Sequence, residues 1–220
     1  MENPEARYNA DAMAFVMPGP GGAHNWQPMA FSPASGLVYI PAIEAGFPYF
    51  SDAQFVQRRK AFNSGVDFNA AAMPDIPEVQ EEVLASVKGH LAAWDPVGQK
   101  EMWRVQHEGP WNGGLLATAG NLVVQGIANG EFSIYRADTG DRLWSTDAQT
   151  GIIATPMSYT AGGEQHIAIV VGWGGIMALA PGKIALKGDP QTNLSRVLAF
   201  KLNGTAALPQ RPAEPERQLA

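Results

Sequence analysis

At 220 residues and 23.5 kDa the chain is long enough for a full core, and 24 glycines, 17 prolines and only 16% charged residues favour short strands joined by turns over long helices. A formal charge of −6, with 15 Lys and Arg scattered along the sequence, excludes the concentrated basic surface that a nucleic-acid partner needs. The absence of cysteine excludes a disulfide framework, a thiolate metal site and haem attachment through Cys-x-x-Cys-His.

The N-terminus, Met1-Glu-Asn-Pro-Glu-Ala-Arg-Tyr, is polar and partly acidic and does not read as a signal peptide. No apolar run approaches the ~18 residues of a transmembrane segment. Residues 1–23 read as irregular and end in Met17-Pro-Gly-Pro-Gly-Gly22, followed at once by His24-Asn25-Trp26. Met29 to Pro41 reads as two strands about a Ser-Pro-Ala-Ser-Gly turn.

Residues 43–88 break the strand pattern. Phe47, Tyr49, Phe50, Phe55, Phe62 and Phe68 have no clean period, so a long excursion with packed aromatics is expected over one face of the fold. It ends in a short helix near 77–87, where Asp75 or a neighbour caps, Pro77 opens the first turn, Val79, Val83 and Val87 share a face and Gly89 stops the helix.

Strands then follow near 89–95, 100–105, 115–118, 121–125, 130–136 and 141–146, with Asn129-Gly130 predicting a type I′ hairpin. Ile152 to Tyr159 and Gln165 to Val171 add two strands about Gly162-Gly163, and Arg196 to Lys201 adds one more. Residues 205–220 have too little apolar content to fold and read as a tail or linker stub beyond a domain spanning 1–204.

Two segments are alike, Gly89 to Trp103 and Gly130 to Trp144. Their first glycines and their closing tryptophans both stand 41 residues apart, the repeat expected of four-stranded propeller blades. The fold class is therefore all-β, a partial β-propeller of about three four-stranded blades. Trp103 and Trp144 read as glue between successive sheets.

Trp111, in Pro110-Trp-Asn-Gly-Gly114, and Trp173, in Gly172-Trp-Gly-Gly175, sit beside glycines at strand ends. There backbone can approach a flat ligand and a ring can line a pocket; plain packing is the other reading. His24-Asn25-Trp26 has the same character. His24, His90, His107 and His166 lack metal-ligand spacing and read as core or solvated side chains. Asp95, Asp138, Asp141 and Asp147 occupy turns, where carboxylates accept local backbone N–H groups.

Pro18 to Trp26, Gly36 to Ala42, Gly89 to Pro96, Pro110 to Gly114, Ala117 to Val124 and Gly172 to Gly175, in this order, resemble the C-terminal part of pyrroloquinoline-quinone (PQQ)-dependent alcohol dehydrogenases, above all the quinohaemoprotein type. The resemblance covers Glu2 to Leu208. The family's blade motif, Ala-x-Asp-x-x-Thr-Gly-x-x-x-Trp, is matched by Ala93, Asp95 and Trp103 with Gly98 and Gln99 in place of Thr-Gly. A second copy keeps Thr139, Gly140 and Trp144 but has Ile134 and Arg136 in place of Ala and Asp, so docking with altered turn hydrogen bonds is expected.

The resemblance implies an eight-bladed propeller with PQQ near its axis, a calcium ion bridging cofactor and protein, and hydride transfer from the alcohol to the quinone. By motif, Asn25 reaches the quinone edge, Trp111 lines its site with Asn112, and the backbone around Trp173 and Gly174 closes it. The family's catalytic aspartate and calcium ligands match no segment here, so neither catalytic nor metal residues are assigned to this chain, and inactivity alone is expected.

Implied partners are the rest of the propeller, an alcohol and a cytochrome or quinone electron acceptor, in the periplasm. A non-catalytic scaffold of quinoprotein-like repeats is the second reading.

Overall fold

The computed structural model describes residue 4 and residues 7–9, 11–174 and 193–210. Thirteen strands and one helix are assigned among them: β1 (Ala14–Val16), β2 (Ala30–Ser32), β3 (Leu37–Glu44), β4 (Phe47–Tyr49), α1 (Pro77–Ser86), β5 (Lys88–Asp95), β6 (Lys100–His107), β7 (Asn112–Thr118), β8 (Leu122–Ile127), β9 (Glu131–Arg136), β10 (Arg142–Asp147), β11 (Met157–Ala161), β12 (Glu164–Val171) and β13 (Arg196–Lys201). They form antiparallel sheets in the orders β2-β3-β5-β6, β7-β8-β9-β10 and β11-β12-β13, with a small β1-β4 sheet beside them.

The main sheets pack face to face, and the alternation this needs is clearest in one strand. Along β3 the side chains run buried and half-buried in strict turn. Tyr39, Leu91, Ala93, Leu115, Val123 and Tyr135 fill the first junction, between the first and second sheets. On the second sheet's other face, Val124 and Phe132 meet Ile169, Val171 and Leu198 of the third, with Ala148 and Ile152 between them. Pro41 is tolerated within β3 because β2 ends opposite Tyr39, so its missing N–H breaks no ladder to β2.

Among the described residues, nothing covers the two faces at the ends of the array. Phe31, Met29 and Met102 are exposed at the first sheet, and Met157, Tyr159, Val170 and Val197 at the third.

Several expectations are corrected. The N-terminal segment is not wholly irregular, because β1 pairs with β4. β3 continues through Ile43 and Glu44, which pair with Gly89 and Lys88, so the excursion begins after them. Its aromatics are not all packed: Phe47, Phe68 and Tyr49 make ring contacts, yet Phe62 is 88% exposed and Phe55 and Phe68 are exposed too.

The helix has Ile76 at its N-cap with no side-chain cap, since Asp75 Oδ1 instead accepts from Gln80 Nε2. It ends at Ser86 because Val87 is already extended, before Gly89. Asn129 is not left-handed, so the Asn129-Gly130 turn is not type I′. Gly130 N–H bonds Ile127 O and Gly130 alone has positive φ, the pattern of a longer loop. The type I′ geometry falls at Gly162-Gly163, between β11 and β12.

Ile152 does not begin a strand; it makes a single bridge to Gly172, and β11 starts at Met157. The third sheet has three described strands rather than four. Leu208, within the stretch read as tail, packs on the second core cluster, while residues 211–220 lie outside the described residues.

Candidate functional site

Antiparallel order brings one set of strand ends together: the ends of β3, β6, β8 and β12 and the starts of β5, β7 and β9. At this edge Trp111 and Trp173 are both buried and share one apolar cluster with Ile43, Ala128 and Ile153, against which Ala45 also packs. The two Gly-plus-Trp corners, 62 positions apart in sequence, thus form one wall.

Trp111 precedes β7 in a bend that glycine makes possible. The β7–β8 register shifts between Asn112 and Leu115, and a Cβ on Gly113 would stand 2.5 Å from Ala154 O and 2.8 Å from Gly126 O. On its other side the ring faces the 18–24 loop, where a Cβ on Gly21 would lie 3.8 Å away, in ordinary contact. That loop is tied to β3 by the Ile43 N–H to Ala23 O bond of 2.8 Å and by His24 Nδ1 donating to Pro41 O at 2.9 Å.

Asn25 is exposed on this loop. Its Nδ2 donates to Gly21 O at 2.9 Å and its Oδ1 accepts from Trp26 N–H at 2.8 Å, so it fixes the turn that lies over Trp111. An amide has two N–H bonds, and among the described residues only the one to Gly21 O is engaged. Asn112 is buried, its Nδ2 donating to Gly109 O at 2.9 Å behind the Trp111 bend and standing against Gly89. Its carboxamide is therefore directed back onto the first sheet.

Trp173 follows β12. Asn193 grips its backbone at both ends, Oδ1 accepting from Trp173 N–H and Nδ2 donating to Trp173 O, each at 2.9 Å. Among the described residues the buried indole Nε1 has no hydrogen-bond partner, an arrangement that costs about 1–3 kcal/mol unless something accepts from it. Beside it a Cβ on Gly174 would meet nothing within 4 Å. Gly175 lies outside the described residues.

Three residues that support this edge carry no sequence pattern. Gln125, fully buried in β8, donates from Nε2 to Gly113 O at 2.9 Å and accepts from His107 Nε2 at 3.0 Å. Because the Gln125 Nε2 is committed to a carbonyl, its Oε1 is the acceptor and the histidine must carry a proton on Nε2. Burial holds the His107 pKa below the usual histidine value, and the nearby His90 adds to this. The Gln125 hydrogen bond and the Glu131 charge act the other way and are outweighed. Asn193 is the third; only its two bonds to Trp173 reveal it.

The described edge thus brings together two buried indoles, the buried N–H of Trp173 Nε1 and the uncrowded backbone at Gly174. Indole rings with a nearby N–H donor suit a planar ring system that carries its own acceptors.

The PQQ family model described as glucose/ethanol/alcohol dehydrogenase, beta-propeller domain, matches residues 78–167. Over 211 residues the chain is 43% identical to the alcohol dehydrogenase (quinone) dehydrogenase subunit of Acetobacter aceti, covering 95% of this chain and 28% of that protein. It is 44% identical over 220 residues to quinohemoprotein alcohol dehydrogenase ADH IIB of Pseudomonas putida, covering 99% and 30%.

The solved structure of quinohemoprotein alcohol dehydrogenase ADHIIG from Pseudomonas putida HK5 superposes with a TM-score of 0.86 at 38% identity, over 94% of this chain and 30% of that one. The sheets share the fold of that structure, and nearly all of the chain is similar to one section of the quinone-dependent and quinohemoprotein alcohol dehydrogenases, of whose length it spans 28–30%.

Proposed function

We propose that the chain is the C-terminal section of a periplasmic quinohaemoprotein-type alcohol dehydrogenase and supplies one wall of its PQQ site. The observation that carries this reading is the Trp111–Trp173 cluster with its buried Trp173 Nε1, unpartnered among the described residues.

Trp111 and Trp173 would flank the cofactor, with Trp173 Nε1 and the second N–H of Asn25 donating to its oxygens. The backbone at Gly174 would come close to it, and Asn112 would brace the Trp111 bend from behind. When bound, PQQ supplies the electrophilic quinone that accepts hydride from the alcohol carbon. This chain's residues orient that group and keep water from its buried side.

The general base and the calcium ligands are assigned to the remaining length of the propeller, which also covers the bare faces at Phe31 and Val197. An alcohol is the substrate, and a cytochrome or quinone receives the electrons. Without the base and the metal, the chain alone turns over no alcohol.

The test is an NMR titration of the chain with millimolar PQQ, following the six indole N–H signals. Shifts confined to Trp111 and Trp173, and abolished by Trp111→Ala, support the reading. Shifts scattered over all six tryptophans, or none, overturn it.

A further inference from the structure

We propose that His107 and Gln125 are positioning residues of the quinone wall: through the Gly113 carbonyl they hold the bend that presents Trp111. This rests on the functional reading above.

The β7–β8 ladder has a gap. β7 and β8 pair at Asn112 with Ile127 and again at Leu115 with Gln125, and the shift between them leaves Gly113 and Gly114 out of register. A buried carbonyl there needs a donor from elsewhere. The Gln125 side chain provides it at 2.9 Å, from a position in Leu-Val-Val-Gln-Gly-Ile where every neighbour in the strand except glycine is apolar.

An apolar side chain of similar size would pack equally well and leave Gly113 O unpaired. His107, at the end of β6 on the adjoining sheet, then fixes which way the carboxamide faces by donating to Oε1 at 3.0 Å. Two residues from different sheets thereby determine the path of the backbone two residues beyond Trp111. The packing around Gly113 also lets the bend settle in only one place, because Ala154 O and Gly126 O crowd it.

The link is polar, buried and continuous from His107 to Gly113. It has no counterpart at Trp173, where Asn193 grips the tryptophan's own backbone directly.

The experiment compares His107→Leu, His107→Gln and Gln125→Leu with the wild-type chain by indole NMR and PQQ titration, under conditions where denaturant curves show each to be folded. Glutamine can place an N–H where the histidine Nε2 stands, so His107→Gln should keep the Trp111 signal and the PQQ affinity within about twofold. His107→Leu and Gln125→Leu should move the Trp111 signal and weaken PQQ binding about tenfold, the effect of one lost buried hydrogen bond.

Trp144→Phe, remote from the bend, controls for lost stability and should bind PQQ as the wild type does. Unchanged Trp111 signal and affinity in both leucine variants, or equal losses in His107→Gln and His107→Leu, would overturn the proposal. If Gln125→Leu does not fold, the two His107 variants decide. If the wild-type chain shows no PQQ response, the functional reading fails, and the ligand-free Trp111 signal still decides whether His107 and Gln125 hold the bend.

Discussion

The two sheet junctions carry tryptophans at the same repeat position, and they are joined differently. At the first, Trp103 Nε1 and Tyr39 OH both donate to Ala137 O, at 3.1 and 2.9 Å, and the Trp103 ring lies against Gly140, where a Cβ would stand 2.7 Å from it. At the second, Trp144 is 42% exposed and meets Phe132 and Phe200 edge-on, at 6.4 and 5.5 Å.

The difference lies in the receiving side. Trp103 docks on the Asp138-Thr-Gly-Asp141 turn between β9 and β10, whereas β13 has no described partner strand on its far side to form such a turn. A repeat residue becomes a structural anchor only when the next repeat completes its socket.

The largest effect should come from breaking the first junction. Trp103→Ala removes a ring and a hydrogen bond and should cost about 3–5 kcal/mol in urea unfolding. Trp144→Ala should cost about 1–2 kcal/mol, since much of its ring is already in water. Equal costs would mean that the sockets are equivalent after all.

A smaller effect acts through pH, because the first junction alone is crossed by His107. Its folded pKa is depressed below the unfolded value of 6.5, so its contribution is complete above that value. It declines as pH falls below 6.5, because the unfolded chain takes up a proton that the folded chain resists. The slope should be at most about 1.4 kcal/mol per pH unit, and His107→Gln should remove this component. Glu131 and His90 are the titratable neighbours that modulate it.

The smallest effect lies in the turn preceding Trp103. Gln99 has a φ of +52° where the second repeat has Gly140, so Gln99→Gly should raise stability by about 1 kcal/mol, read as a higher Tm. A lower Tm would show that the Gln99 side chain compensates for its backbone. The altered turn is satisfied in its own way: Asp95 Oδ1 accepts from Val97 and Gly98 N–H, both at 2.9 Å. In the second turn Thr139 Oγ1 donates to Asp141 Oδ2 at 2.7 Å.

Strands β5 to β10 were legible because short apolar runs are bounded there by turn residues, and the 41-residue spacing identified Trp103 as an anchor. Trp111 and Trp173 stood out through their glycines, although nothing local shows that they meet. His107, Gln125 and Asn193 were invisible for a physical reason. A lone histidine or carboxamide in a strand carries no period, and its partner is chosen by sheet stacking. The β1–β4 pair was missed for the same reason, since Ala14-Phe-Val16 is too short to alternate. The exposed Phe62 went against the general tendency of aromatics to be buried.

The excursion between β3 and β5 also bears on the order of assembly. The second sheet is a meander whose strands are joined by short turns, whereas the first can pair β3 with β5 only after the intervening chain has closed on itself. Tyr39 must then find Ala137, 98 residues away. Loop-closure entropy therefore places the meander early and the first sheet late. Pulse-labelled hydrogen exchange should protect the amides of β8 and β9 before those of β3, and the reverse order would reject this sequence of events. The wall that holds Trp111 would thus be assembled on a preformed sheet, its last tie being the one that His107 brings from β6.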